Sequence, residues 1–302
     1  MAYILDHVLL WREGKTKPAS ILIEADRFRM IRSQLDRFHC MKVNLEDYVM
    51  TGGQVMLDSC TEEDQSFASF KEHMKNNVLG RGCTCFISII PVNRSKEIAV
   101  KTAKRRQILI NAPADHYLAL KCPIKSLTPS FIYEAKKQQI SLIFAELNNE
   151  SDYQSFTWPW LRDALYLHPV TFIPFWNHRE PNPKLDRQWS AFMGRTGIPV
   201  LPHSIHPLQP LKIADLRILG IDPEKGRVRL NGDADYNLFT KNTLSDSVET
   251  KPHLDYDNHI PTISIQRGRV LKAGQAVFFK PGFGEEKHIV IRSSYSSPLS
   301  LI

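Results

Sequence analysis

The sequence predicts an α/β protein in which a parallel sheet of βα units is bracketed, before and after in the chain, by small antiparallel strands. Three observations lead there. The central part alternates short apolar runs with polar segments of helical spacing; both ends carry strand-like patches joined by Gly and Pro turns; and the composition is that of an ordinary globular protein. Of the 302 residues, 42% are hydrophobic and 24% charged, which excludes a disordered or fibrous chain and leaves enough apolar surface for a large core.

At the N-terminus Tyr3, Leu5, Val8 and Leu10, then Ile21, Leu22 and Ile23, form apolar patches separated by GKTKP. The charged stretch DRFRMIRSQLDRF follows, and the pattern predicts a small antiparallel sheet up to about Val49. From Gly52 to about Pro210 the strand candidates are residues 55–57, 83–90, 107–111, 141–147, 170–176 and 198–201. Between them Phe67, Phe70, Met74 and Val78 recur at helical intervals, and Phe131, Ala135 and Gln138 follow Pro129 at a helix start. Strand and helix alternate, as right-handed βα units require. After Ile221 the strand candidates are 227–230, 236–239, 262–266, 276–279 and 288–291, with a polar insertion at 241–258.

The most apolar run, residues 83–92, is far shorter than the ~20 residues of a membrane span. Asp6 and His7 interrupt the apolar N-terminus and no small-residue cleavage site follows, so a cytoplasmic protein with no membrane partner is expected. Five irregularly spaced cysteines fit that compartment as reduced core residues. A net charge of +7 permits an anionic partner without specifying one.

The order of sheet, α/β and sheet resembles the amidohydrolase superfamily, and several motifs carry the resemblance. SILIEADRFRMIRSQ followed by VNLEDYVMTGGQVMLDS resembles the family's entry into its first barrel strand, and VLGRGCTCFISI its second strand. LTPSFIYEAKKQQISLIFAEL and FIPFWNH are similar to segments of N-acetylglucosamine-6-phosphate deacetylases. LKIADLRILGIDPEKGRVRLNGDADYNLF resembles the return from barrel to small sheet, with Gly232 as a positive-φ turn and Asp233 and Asp235 as local caps. The resemblance implies a reduced or distorted TIM-like βα barrel over residues 51–215. A composite small β-sandwich would form from residues 1–50 and 216–302.

The same resemblance implies a metal centre whose ligands are missing from this sequence. Leu57 and Ser59 stand where the family has its first two histidines, and Val55 where an Asp precedes them. Asn111 stands in place of a ligating Glu, and Pro174 in place of a histidine. Pro202 and His203 stand where a late catalytic Asp is expected. A divalent metal needs His or carboxylate donors to activate water, so no cofactor is expected and the chain is read as acting by binding, in a regulatory or scaffolding role. The alternative is a remodelled hydrolase of a C–N bond in a small amide or N-acetyl amino sugar, with zinc or iron. A third reading is a basic protein that binds nucleic acid or another polyanion.

Length points to reduction as well. Residues 51–215 fall well short of the roughly 250 of a complete eight-stranded barrel. An open barrel edge calls for a rearranged sheet or a homodimer that covers it. The other partner is a small molecule or a protein that the sequence does not name.

Candidate cleft residues at strand ends are Glu146, Asn177, His178, His203 and His206, with Asp58 as a base or, equally, a helix cap. Pro-flanked histidines also serve as plain hydrogen-bond partners of backbone or water. His253, Asp255, Asp257 and His259 alternate along PHLDYDNH and suit a metal, though a solvated loop is the preferred reading. Cys83 and Cys85, on one face of a strand, are expected to pack in the core. Arg94, Lys96, Lys101, Lys104, Arg105 and Arg106 form a basic stripe on a helix after the second strand. The stripe is read as that helix's solvent face rather than a nucleic-acid surface. GFGEE, at Gly282, is read as a hairpin turn.

Overall fold

The computed structural model describes residues 2–12, 14–58, 60, 66–177, 182–241 and 259–289. It is an α/β fold made of a curled parallel half-barrel and a separate mixed sheet. Ser59, His178, His253, Asp255 and Asp257 lie outside the described residues.

The mixed sheet takes β1 (Ala2–Arg12), β2 (Lys15–Glu24), β3 (Arg27–Arg32), β4 (Met41–Asn44) and β5 (Tyr48–Gly52) from the N-terminal segment. The C-terminal segment adds β11 (Tyr236–Thr240), β12 (Ile263–Gln266), β13 (Arg269–Ala273) and β14 (Ala276–Val277). Its order is β14-β13-β12-β11-β5-β1-β2-β3, with β4 pairing beside β1. These strands form one hydrogen-bonded sheet, which corrects the expected sandwich. Asp6 and His7, which interrupt the apolar run in sequence, occupy a bulge in β1 where His7 takes φ 56. Residues 227–230 form no strand, and neither do 288 and 289.

The parallel sheet consists of β6 (Gln54–Leu57), β7 (Cys83–Pro91), β8 (Asp115–Pro123), β9 (Leu142–Leu147) and β10 (Thr171–Trp176), neighbours in that order. Helices α1 (Phe67–His73), α2 (Ile98–Leu109), α3 (Pro129–Lys137), α4 (Glu150–Gln154), α5 (Arg162–Leu167) and α6 (Pro183–Met193) follow their strands. Local chemistry sets their starts. The Thr128 hydroxyl accepts from Phe131 N at 3.1 Å with Pro129 in the first turn, and Asn182 caps α6 in the same way ahead of Pro183.

Two of the expected barrel strands differ. Residues 107–111 are the end of α2 and the turn after it, because Ile98, Thr102, Arg105 and Leu109 are buried at helical spacing and carry the helix through the apolar ILI run. The third strand is β8 instead. Residues 198–201 make only a bridge, Val200 beside Phe172.

The segment that follows closes the half-barrel. Leu201 N donates to Phe172 O on β10, while Leu208 N and Leu211 N donate to Leu57 O and Val55 O on β6. Both edges of the sheet are therefore met by one irregular stretch, residues 199–211. Helix α7 (Ile213–Ile218) and its flanks then fold into the concave side: Leu201, Ile205, Leu216, Leu219 and Ile221 pack on Val55, Leu57, Ile87, Tyr117, Phe144 and Ile173. Each such fully buried aliphatic side chain contributes roughly 1.5–3 kcal/mol. The convex side packs against the helices through Phe86, Leu120, Ile143, Phe172, Phe131 and Trp189, among others. Cys83 belongs to this convex core and Cys85 to the concave one, so the two do not share an environment.

Candidate functional site

Side-chain alternation along β8, β9 and β10 brings Lys121, Glu146 and Phe175 to the concave face at the C-terminal ends of the strands, where βα barrels place their chemistry. Lys121 Nζ lies 3.1 Å from Glu146 Oε1 and 4.4 Å from the centre of the Phe175 ring. Both charged groups are half-buried, and each is the other's partner. Next to them Asn177 leaves β10, its Nδ2 donating to Asn148 Oδ1 at 3.0 Å.

His203 and His206 lie on the closing segment, both half-buried. That segment is pinned by Asp186 of α6, whose carboxylate accepts from Trp176 Nε1, Ser204 N and Ser204 Oγ. His203 Nε2 is 3.3 Å from Asp215 Oδ2 on α7. The hydrogen bond to Asp215 raises the His203 pKa against the opposing effect of burial.

The degenerate ligand positions fall in three different places. Leu57 is wholly buried in the apolar concave core. Pro174 sits inside β10 beside Ala145, one residue short of the concave position that Phe175 holds. Asn111 lies in the turn before β8, at the opposite end of the sheet from the strand C-termini. The match of Asn111 to a strand-end ligand is thus corrected, and the residue that ends that strand on the concave face is Lys121.

Asp58, the first residue after β6, turns toward the helices. Its Oδ1 is 2.7 Å from His73 Nε2 and accepts from Cys60 N, and its Oδ2 is 3.4 Å from Arg105 Nη2. Arg105 also donates to Ser88 Oγ at 2.7 Å and Cys60 O at 2.7 Å. This corrects the stripe reading for two members. Arg105 is buried, and Arg106 is bound to Glu286 and Gln138, so neither belongs to a solvent face.

A second ionic cluster, unforeseen from the sequence, lies at the other end of the sheet. Lys225 Nζ is 2.6 Å from Asp115 Oδ2, 2.9 Å from Asp233 Oδ2 and 2.6 Å from Asp235 Oδ2. Burial opposes the Lys225 charge, but the three carboxylates outweigh it and raise its pKa. Burial also pushes the Asp235 carboxyl up, with Lys225 offsetting only part of that. Arg267 and Lys287 approach Asp115 from the 267 turn and the C-terminal segment. Asp233 and Asp235 are thus counter-charges of a buried lysine, and the positive φ of that turn falls on Asn231 instead of Gly232. The stretch containing GFGEE is no hairpin: Gly284 N donates to Ala112 O, and His116 N donates to Glu285 O beside β8.

A metal centre of the superfamily type does not fit the described strand ends. Leu57 offers no donor and the Glu146 carboxylate is taken by Lys121. Among the described residues, the only three acidic, His or Cys donors gathered closely enough for an ion are Asp115, Asp233 and Asp235, and they enclose Lys225.

No family model and no curated protein matches the chain. Solved structures do. A dihydropyrimidinase from Brevibacillus agri is 12% identical with a TM-score of 0.65, over 97% of this chain and 100% of that one. A D-hydantoinase (dihydropyrimidinase) from Thermus sp. is 11% identical with a TM-score of 0.60, over 94% and 98%. An L-hydantoinase (dihydropyrimidinase) from Arthrobacter aurescens is 11% identical with a TM-score of 0.55, over 94% and 99%. At such identities the likeness is one of fold, and the fold this chain shares is that of these hydantoinase and dihydropyrimidinase structures.

Proposed function

We propose that this chain is an amidohydrolase-fold protein without the superfamily's metal centre, and that it acts in the cytoplasm by binding a small molecule or a protein, in a regulatory or scaffolding role. The observation that carries the proposal is the strand ends themselves: Leu57 is sealed in apolar core, and Lys121 and Glu146 neutralise one another. Water activation by a metal needs several such donors free to hold it, and Leu57 together with a Glu146 engaged by Lys121 does not offer that set. Five unbridged cysteines support the cytoplasmic placing.

The test is elemental analysis of protein purified without added metal, together with assays for hydrolysis of hydantoin, dihydrouracil and N-acetylglucosamine 6-phosphate. The last substrate covers the deacetylase motifs in the sequence. Absence of stoichiometric metal and of turnover is the expected result. Stoichiometric zinc, iron or manganese that disappears in the His203→Ala, His206→Ala double variant would overturn it.

One observation favours the alternative of a remodelled C–N hydrolase, namely the His203–Asp215 hydrogen bond on a segment next to the strand ends. Binding of nucleic acid or another polyanion has less support, since Arg105 and Arg106 are spent inside the protein. A homodimer across the sheet edge is a question for light scattering; the edge that motivated it is met by residues 199–211 of the same chain.

A further inference from the structure

We propose that a cavity between the two sheets, away from the strand C-termini, binds a small molecule that carries a phosphate or carboxylate group on an apolar body. The cavity has a volume of about 1020 Å³. Its walls are the end of β1, the β5–β6 junction at residues 51–55, residues 210–213 ahead of α7, and residues 226–230. That volume lies at the upper end of the few hundred to about 1,000 Å³ of small-molecule sites.

Charge selects the occupant. Arg12, Lys212, Arg227 and Arg229 all line the cavity, and none of its described lining residues is Asp or Glu. Arg227 Nε is 3.1 Å from Asp222 outside the lining, and Arg12 Nη2 donates to the Val228 carbonyl at 3.0 Å, which orients the guanidinium without neutralising it. An oxyanion is the group that guanidinium side chains such as these grip in a bidentate fork. Arg12, Lys212 and Arg229, with Arg227 partly offset by Asp222, also focus a field in the concavity that draws anions in.

The rest of the lining accounts for the apolar body. Trp11, Val55, Leu211 and Leu216 supply a hydrophobic wall. Two glycines fix its shape. A Cβ on Gly52 would stand 2.6 Å from Gly226 O, and one on Gly226, at φ +86, would stand 2.3 Å from Leu216 Cδ1. Gly52 meets backbone and Gly226 takes a left-handed φ that favours glycine, so the chain passes close to itself along this wall.

The inference is independent of what the strand ends do, and its test uses neither metal nor turnover. Calorimetric titration of the full chain with phenyl phosphate, benzoate, inorganic phosphate and phenol is expected to show an aromatic anion binding more tightly than phosphate or phenol. The better of phenyl phosphate and benzoate identifies the head group. Arg229→Gln is expected to weaken that binding about tenfold, as loss of a charge-assisted contact does. Lys96→Gln, the same charge change on the far side of the parallel sheet, is expected to leave it unaltered. Should Arg229→Gln not fold, Lys212→Gln at the exposed rim is expected to weaken binding by a smaller factor. Failure of both aromatic anions to bind, phenol binding as tightly as either, or equal loss in Lys96→Gln would each overturn the proposal.

Discussion

The Lys225 ammonium stands 2.6 Å from the Asp115 carboxylate with both side chains closed to solvent, so the chain after α7 is tied directly to the first residue of β8. Asp233 and Asp235 complete the enclosure from the turn that leads into the mixed sheet. Replacing the lysine removes the one cation that touches all three carboxylates and leaves Asp235 facing Asp115 and Asp233, with Arg267 and Lys287 beside Asp115 and Arg27 beside Asp233. Lys225→Met is expected to lower stability by about 3–5 kcal/mol. Urea unfolding reads this as a lower midpoint at unchanged slope, and a wild-type midpoint would contradict the assignment of these aspartates.

Arg105 bridges α2 to the end of β6 and to Ser88 on β7. Arg105→Met leaves Ser88 Oγ and Cys60 O without this donor and buried Asp58 with only His73 and Cys60 N, and is expected to cost about 1–3 kcal/mol. Arg105→Lys is expected to recover only part, because one ammonium cannot reproduce the planar fork that reaches Ser88, Asp58 and Cys60 together. Lys96→Gln, on an exposed side chain of the same stretch, is expected to stay within about 0.5 kcal/mol of the parent protein.

Two histidines are expected to titrate on opposite sides of the ordinary value of 6.5. His203 is raised by its bond to Asp215, so its contribution to stability is complete below 6.5 and is lost as pH climbs through its folded value. Burial holds His116 below 6.5, stacked on Phe86, so the unfolded chain takes that proton first and stability is lost as pH falls below 6.5. Imidazole NMR titration checks both. Asp215→Asn should bring the His203 midpoint down and leave His116 where it was; movement of both would point to a general rearrangement.

The thiols divide by burial. The Cys83 thiol is pushed up to about 12 by its apolar surroundings, and burial raises Cys85 and Cys122 as well. Cys40 and Cys60 are half-exposed. A chromogenic disulfide reagent at mildly alkaline pH is expected to label these two in the folded protein and all five in denaturant. Rapid labelling of Cys85 in the native state would mean that the concave core opens.

What the sequence revealed and what it hid have a common physical basis. Periodicity located β6, β7, β9, β10 and α3 because their partners are their own repeating faces and a local cap such as Thr128. It missed β8, whose Asp115, His116 and Lys121 break the apolar pattern. Those polar groups find Lys225, Phe86 and Glu146 only after folding. The helix end at Leu109 was mistaken for that strand since three apolar residues in a row carry no period of their own.

The candidate site was legible only as a set of strand ends. Glu146 was visible behind an apolar run, whereas its partner Lys121 lay on the strand that went unseen. The four cations of the cavity are spread from residue 12 to residue 229, and no window along the chain brings them together. Asp233 and Asp235 read as turn residues because their function depends on a lysine whose burial nothing in its neighbourhood announces.

The stretch at residues 199–211 gives the parallel sheet an order of assembly. During synthesis β6 is among the first barrel strands to emerge, yet its outer edge has no hydrogen-bonding neighbour until Leu208 and Leu211 have left the ribosome. Through most of that interval its backbone is a bare template for strays. The two edges of the half-barrel thus share one late-synthesised cover, and neither the first strand nor the last is fully paired without it.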